Sequence, residues 1–130
     1  MTPLVGFVAF LLATVALLAA VVYTGLRALR VIHVTLVVLT LTCLAVAIYY
    51  AKQLGAVYDL ASAGMITPVH LALAKAATAA YIAPLVTGVL TLRSPRHRRT
   101  HFKAAMFALA LTLASTATGL WMLLAASPKA

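Results

Sequence analysis

The sequence predicts an all-α membrane protein, with four transmembrane helices running up-down-up-down in a bundle. Three observations lead there. Of the 130 residues, 65% are apolar and only 8% are charged, whereas charged residues make up about a quarter of a soluble domain. The apolar residues gather in four runs, each long enough to cross a hydrocarbon core of roughly 30 Å at about 1.5 Å per residue. The basic residues collect in the short segments between those runs, where they act as a topology signal.

Helices are expected over residues 3–26, 31–51, 68–92 and 102–126, within a single transmembrane domain. The first run lacks the positive n-region of a signal peptide and exceeds the usual h-region, so it reads as a retained helix. The second carries the lone cysteine, Cys43, which has no partner in the chain and so excludes an intrachain disulfide. Between the second and third runs, Gln53 to Thr67, with Gly55 and Gly64, is the one loop with room for structure of its own, such as a short interfacial helix. The third run contains Pro84, which should kink it. The fourth follows a turn dense in arginine.

The formal charge of +9 arises from ten Lys and Arg against one acid, Asp59. Arg27, Arg30, Arg93, Arg96, Arg98, Arg99 and Lys103 flank the two hairpin turns; Lys52, Lys75 and Lys129 lie elsewhere. This asymmetry places both Arg-rich turns in the cytoplasm and both termini outside. It also favours contact with anionic lipid head groups. Tyr49, Tyr50, Tyr58 and Trp121 then fall near the outer interface, where amphipathic rings belong. Basic residues interleaved with aromatics are absent, which excludes a nucleic-acid surface.

The two halves resemble one another. Thr2-Pro3 matches Thr67-Pro68, Leu26-Arg27 matches Leu92-Arg93, and Arg30 precedes His33 as Arg98 precedes His101, at offsets of 65 to 68 residues. A duplicated helical hairpin would give a parallel repeat with its second and fourth helices facing each other.

His33 and His101 are the most informative pair, since they lie at matching depth on those two helices. A haem iron takes axial nitrogens from opposite sides, and its propionates need cations, which Arg27, Arg30, Arg98, Arg99 and Lys103 could supply. From His101 a stripe of small residues, Ala105, Ala108, Thr112, Ser115 and Gly119, could admit the ring. The competing reading makes both histidines hydrated interfacial residues beside a stripe that serves close helix packing.

His70, near the outer end of the third run, has Val5 as its repeat equivalent and no histidine at its depth. A single imidazole there suits a metal contact, such as copper, or a quinone hydroxyl; the bland alternative is a hydrogen bond to a loop carbonyl. Lys75 is an intramembrane cation that either snorkels or pairs with an acid on another subunit. His97 belongs to the basic turn. Ala72, Ala76, Ala79, Ala80 and Ala83 beside Lys75 make the third helix the expected contact with a larger membrane complex. With one carboxylate in the chain there is no acid/base pair, no triad and no carboxylate metal cage, so enzyme readings are poor.

The second half, from Pro68-Val69-His70 through Arg96-His97-Arg98-Arg99-Thr100-His101 to Ser115-Thr116-Ala117-Thr118-Gly119-Leu120-Trp121, resembles the membrane family known as domain of unknown function 420. In that pattern a helix opening with His ends in an Arg and His cluster, and the next helix closes with a Thr-Gly step. Arg30-Val31-Ile32-His33 is also similar. The chain departs from the pattern in its outer loop, which has no histidine. The resemblance implies a bacterial inner-membrane protein associated with the biogenesis of haem-copper oxidases, with histidines as haem or copper contacts. These readings converge on a b-type haem-binding bundle serving electron transfer or oxidase assembly, against the alternative of a cofactor-free accessory subunit of a respiratory complex.

Overall fold

The computed structural model describes residues 1–129 and is all-α in every substantial element. Among the described residues, four helical spans are long and apolar enough to cross a membrane: Pro3–Leu26, Arg30–Val57, Ile66–Arg93 and Pro95–Ala125. The chain is therefore an integral membrane protein. Five α-helices, the last preceded by a 3₁₀ turn over Pro95–His97, make up these spans: α1 (Pro3–Leu26), α2 (Arg30–Val57), α3 (Ile66–Ala80), α4 (Ile82–Arg93) and α5 (Arg98–Ala125).

The chain divides into two compact units, Met1–Tyr58 with Lys129, and Asp59–Pro128. The first is the hairpin α1–α2. Thr2 caps α1, its hydroxyl accepting the Val5 N–H at 3.4 Å, and Pro3 takes the first helical position, where no N–H is needed. At the other end Leu29 N–H reaches Thr24 O at 3.0 Å and Ala28 N–H reaches Gly25 O at 3.2 Å. This is a Schellman cap. Its left-handed position, usually glycine, is held by Ala28 at φ 56°.

α2 continues to Val57, six residues beyond the apolar run. Lys52 and Gln53 are good helix formers, so the backbone stays helical where hydropathy falls. Consequently little of the expected Gln53 to Thr67 loop remains. Its only helical structure is a 3₁₀ turn over Leu60–Ala63, capped by Asp59 through Ala61 N–H at 3.2 Å and closed by Gly64 at φ 72°.

The second unit is the hairpin of α3–α4 with α5. The third span bends at Tyr81, which keeps right-handed dihedrals (φ −65°, ψ −20°) between α3 and α4. The cause is the expected one: Pro84 has no N–H to give to the carbonyl four residues back. α5 begins within the basic cluster, at Arg98, four residues before the apolar run suggests.

Exposure is inverted relative to a soluble protein. Ile82, Trp121 and Leu124 are exposed, while Thr14, Thr24, Thr40 and Thr112 are buried. Each of these threonines donates its hydroxyl proton to a carbonyl of its own helix, for example Thr14 to Phe10 O at 2.7 Å and Thr40 to Leu36 O at 2.7 Å. Buried hydroxyls thereby cost little, and apolar side chains are left to meet lipid.

Candidate functional site

Three of the four histidines are docked in the same way on a neighbouring helix, and each time the seat is a Thr-Gly step. His33 on α2 places Nδ1 3.0 Å from Val21 O and 3.3 Å from Thr24 Oγ1 on α1. His101 on α5 places Nδ1 3.1 Å from Pro84 O and 3.3 Å from Thr87 Oγ1 on α4. His70 on α3 places Nδ1 3.1 Å from Ser115 O and 3.3 Å from Thr118 Oγ1 on α5.

The local sequence explains the geometry. In each case the accepting carbonyl lies four residues before a glycine and the threonine one before it: Val21, Thr24, Gly25; Pro84, Thr87, Gly88; Ser115, Thr118, Gly119. A helical side chain leans back over the preceding turn, so a residue without Cβ uncovers the carbonyl four positions earlier. The imidazole fills that gap. A Cβ built on Gly119 would stand 2.7 Å from His70 Cε1, one on Gly25 3.1 Å from His33 Cε1, and one on Gly88 3.3 Å from His101 Cε1.

A backbone carbonyl only accepts hydrogen bonds, so each docked Nδ1 carries the proton and donates it. In the neutral ring this leaves the lone pair on Nε2, the tautomer typical of a metal-bound histidine.

The first hairpin has a fourth contact of related form. Tyr50 on α2 lies over Gly6 on α1, whose added Cβ would come within 2.6 Å of the Tyr50 ring. Phe10 stacks on the same ring at 6.0 Å between centroids, and Tyr49 meets it edge-on at 5.5 Å. Each antiparallel hairpin is thus fastened at both ends by a ring on a glycine. At the Arg-bearing ends both hairpins use histidine, on α2 and on α5. At the other ends they differ. The glycine is on the first helix in one hairpin and on the last in the other.

The expected site residues are distributed as follows. His33 belongs to the first hairpin and His101 to the second. Arg30, Arg98, Arg99 and Lys103 are exposed, and Arg27 lies over the Tyr23 ring at 5.5 Å. His97 accepts a hydrogen bond from Arg96 Nε at 3.1 Å within the turn. His70 meets a carbonyl of α5, not of a loop.

One expectation is corrected outright. The small face of α5 thought to admit a porphyrin is turned to α3. Ala108 and Thr112 are buried, the Tyr81 hydroxyl lies 2.9 Å from Thr112 Oγ1, and Ser115 and Gly119 seat His70. Small residues let a neighbouring group approach closely, and within this hairpin that group is the imidazole of α3. Among the described residues no three His, Cys, Asp or Glu gather as a metal cluster. The feature missed from sequence is the recurrence of the Thr-Gly step at Thr24-Gly25 and Thr87-Gly88 as well as at Thr118-Gly119, each copy with a histidine to match.

Comparison with protein-family models, curated proteins and solved structures found no match to this chain.

Proposed function

We propose that this chain binds a b-type haem through Nε2 of His33 and His101 and serves electron transfer or cytochrome oxidase assembly. The observation that carries the reading is the shared anchoring of both Nδ1 atoms, at 3.0 and 3.1 Å from helix carbonyls. It favours the tautomer in which Nε2 would be the atom available to iron. Both histidines also lie three residues after an arginine, Arg30 and Arg98, and guanidinium groups at that end suit haem propionates. Bound haem would supply one-electron chemistry; the two seats would orient the ligand nitrogens and the arginines would balance the carboxylates.

A spectrum of the purified protein tests this. A Soret band with split visible bands on reduction is expected, lost in His33→Ala and in His101→Ala and retained in His70→Ala and His97→Ala. Loss with His70→Ala but not with His33→Ala would refute the assignment.

The reading includes an orientation in a bacterial inner membrane, with both Arg-rich turns cytoplasmic, supported by the seven basic residues that flank them. Engineered cysteines at positions 60–64 should label from outside and those at 94–97 should not. Labelling of the second set alone would reverse the orientation.

A second reading, a cofactor-free accessory subunit, is favoured by a separate observation. On α3 and α4, Ala72, Lys75, Ala76, Ala79 and Ala83 are all exposed, with Ala80 half-buried beside them. Smooth alanine faces suit a neighbouring helix more than lipid, and Lys75 would be matched by a carboxylate on it. Crosslinks from positions beside Lys75 to another membrane protein, in a preparation without a Soret band, would select this reading over the first.

A further inference from the structure

We propose that Thr24 and Thr87 are positioning residues, which together with the Val21 and Pro84 carbonyls hold His33 and His101 as Nδ1–H imidazoles with Nε2 as the coordinating atom. The proposal rests on the haem reading for the identity of the metal centre, but not for the tautomer.

The direction of each hydroxyl proton carries the argument. Thr24 Oγ1 donates to Ala20 O at 2.8 Å, and Thr87 Oγ1 donates to Ala83 O at 2.7 Å. With its proton committed to its own helix, each hydroxyl turns a lone pair toward the imidazole 3.3 Å away. Nδ1 therefore faces two acceptors, and only a protonated Nδ1 satisfies both. The other tautomer would set the Nδ1 lone pair against two oxygen lone pairs, unless the threonine gave up its helix bond. Thr118 repeats the arrangement, donating to Ala114 O at 2.8 Å and standing 3.3 Å from His70 Nδ1. Three independent occurrences of one geometry, on three different helices, make it a device of this chain rather than an accident of one contact.

Outer partners of this kind fix ring orientation and raise the basicity of the coordinating nitrogen, and losing one costs about 10- to 100-fold in affinity. Because the carbonyl remains when the hydroxyl is removed, Thr24→Val and Thr87→Val should each weaken haem affinity about tenfold, the low end of that range. Thr24→Ser and Thr87→Ser should restore it. Thr118→Val, acting on His70 alone, should leave haem affinity unchanged.

The second readout needs no haem. ¹⁵N NMR of the histidine rings, in haem-free protein reconstituted into lipid nanodiscs, should give protonated Nδ1 and unprotonated Nε2 for His33, His101 and His70. Each Thr→Val change removes one of the two acceptors and should raise the minor Nε2–H population at its own histidine only. This pattern upholds the tautomer part of the proposal even in a preparation that takes up no haem, where the haem reading alone fails. A wild-type spectrum with Nε2 protonated, or Thr→Val variants that shift neither tautomer nor affinity, would overturn the proposal.

Discussion

The three glycine seats make a graded prediction, because the clearance under each imidazole differs. Ordinary carbon–carbon contact is about 3.5–4.0 Å. Alanine at position 119 would place Cβ 2.7 Å from His70 Cε1, about 1 Å inside that contact, and both Nδ1 and Nε2 would also lie within 3.3 Å. The whole inner edge of the ring is blocked, so the imidazole has to leave its seat. Losing the bond to Ser115 O costs about 1 kcal/mol, and overpacking costs about 1–3 kcal/mol. Replacing a mid-helix glycine returns about 1 kcal/mol of helix propensity. The net for Gly119→Ala is a loss of about 1–3 kcal/mol. At position 88 the same Cβ would stand 3.3 Å from His101 Cε1. A shift of a few tenths of an ångström relieves it, and the propensity gain brings Gly88→Ala to within about 0.5 kcal/mol of wild type. Gly25→Ala, at 3.1 Å, falls between. Equilibrium unfolding in mixed micelles, read by tryptophan fluorescence from Trp121 and by circular dichroism, gives the three values on one scale. The reasoning is refuted if Gly119→Ala matches or exceeds wild-type stability, or if Gly88→Ala is the worst of the three.

Other perturbations follow from the turns and the bent span. Ala28→Gly should stabilise the first hairpin by about 0.5–1 kcal/mol, since it relieves a left-handed alanine at φ 56°, a strain of about 1–2 kcal/mol, at the cost of glycine's larger chain entropy; unchanged or lower stability in the same assay contradicts this. Gly64→Ala should cost about 1–3 kcal/mol. At φ 72° and ψ −141° the backbone occupies a region open almost only to glycine, and nothing lies within 4 Å of an added Cβ, so the loss is one of backbone strain alone. Tyr81→Phe should cost about 0.5–1 kcal/mol, the worth of one hydrogen bond between membrane helices. The loss stays small because Thr112 keeps its bond to Ala108 O, and a loss above about 2 kcal/mol would mean that the Tyr81 hydroxyl does more than brace the bend.

The four spans are legible in the sequence because their signal is local: length, hydropathy and the arginines that bound them. Pro84 announces its bend for the same reason, since a missing N–H acts on its own helix. The ends of the helices are less legible. Lys52 and Gln53 end an apolar run without ending a helix, and the run says nothing about backbone. The histidine seats are harder still, because each is a relation between two helices. Read along α5, Ser115 and Gly119 are only small residues on one face; their purpose depends on which ring the neighbouring helix brings opposite. The repeat places His33 and His101 at matching positions, and both dock on Thr-Gly steps. His70 has no histidine counterpart, since its equivalent is Val5, and at that end the glycine lies on the last helix of the hairpin rather than the first.

That difference between the hairpins separates two roles of the docked ring. Between membrane helices lipid is as apolar as any leucine, so pairing depends on close packing and on polar contacts across the interface. A flat ring on a bare glycine supplies the close packing. Tyr50 over Gly6 does this without an imidazole and without a Thr-Gly step, since Thr2 lies four residues before the glycine and caps the helix instead. Fastening a hairpin end therefore needs only a ring. At His33, His101 and His70 the sequence supplies more: an uncovered carbonyl and a threonine lone pair aimed at Nδ1. Both extra groups act on a proton, not on ring area, and their joint effect is to assign the remaining lone pair to Nε2. A polar contact across the interface accounts for all three seats, His70 included. The seats therefore set the tautomer, and what distinguishes His33 and His101 as the proposed haem ligands is the arginine three residues before each.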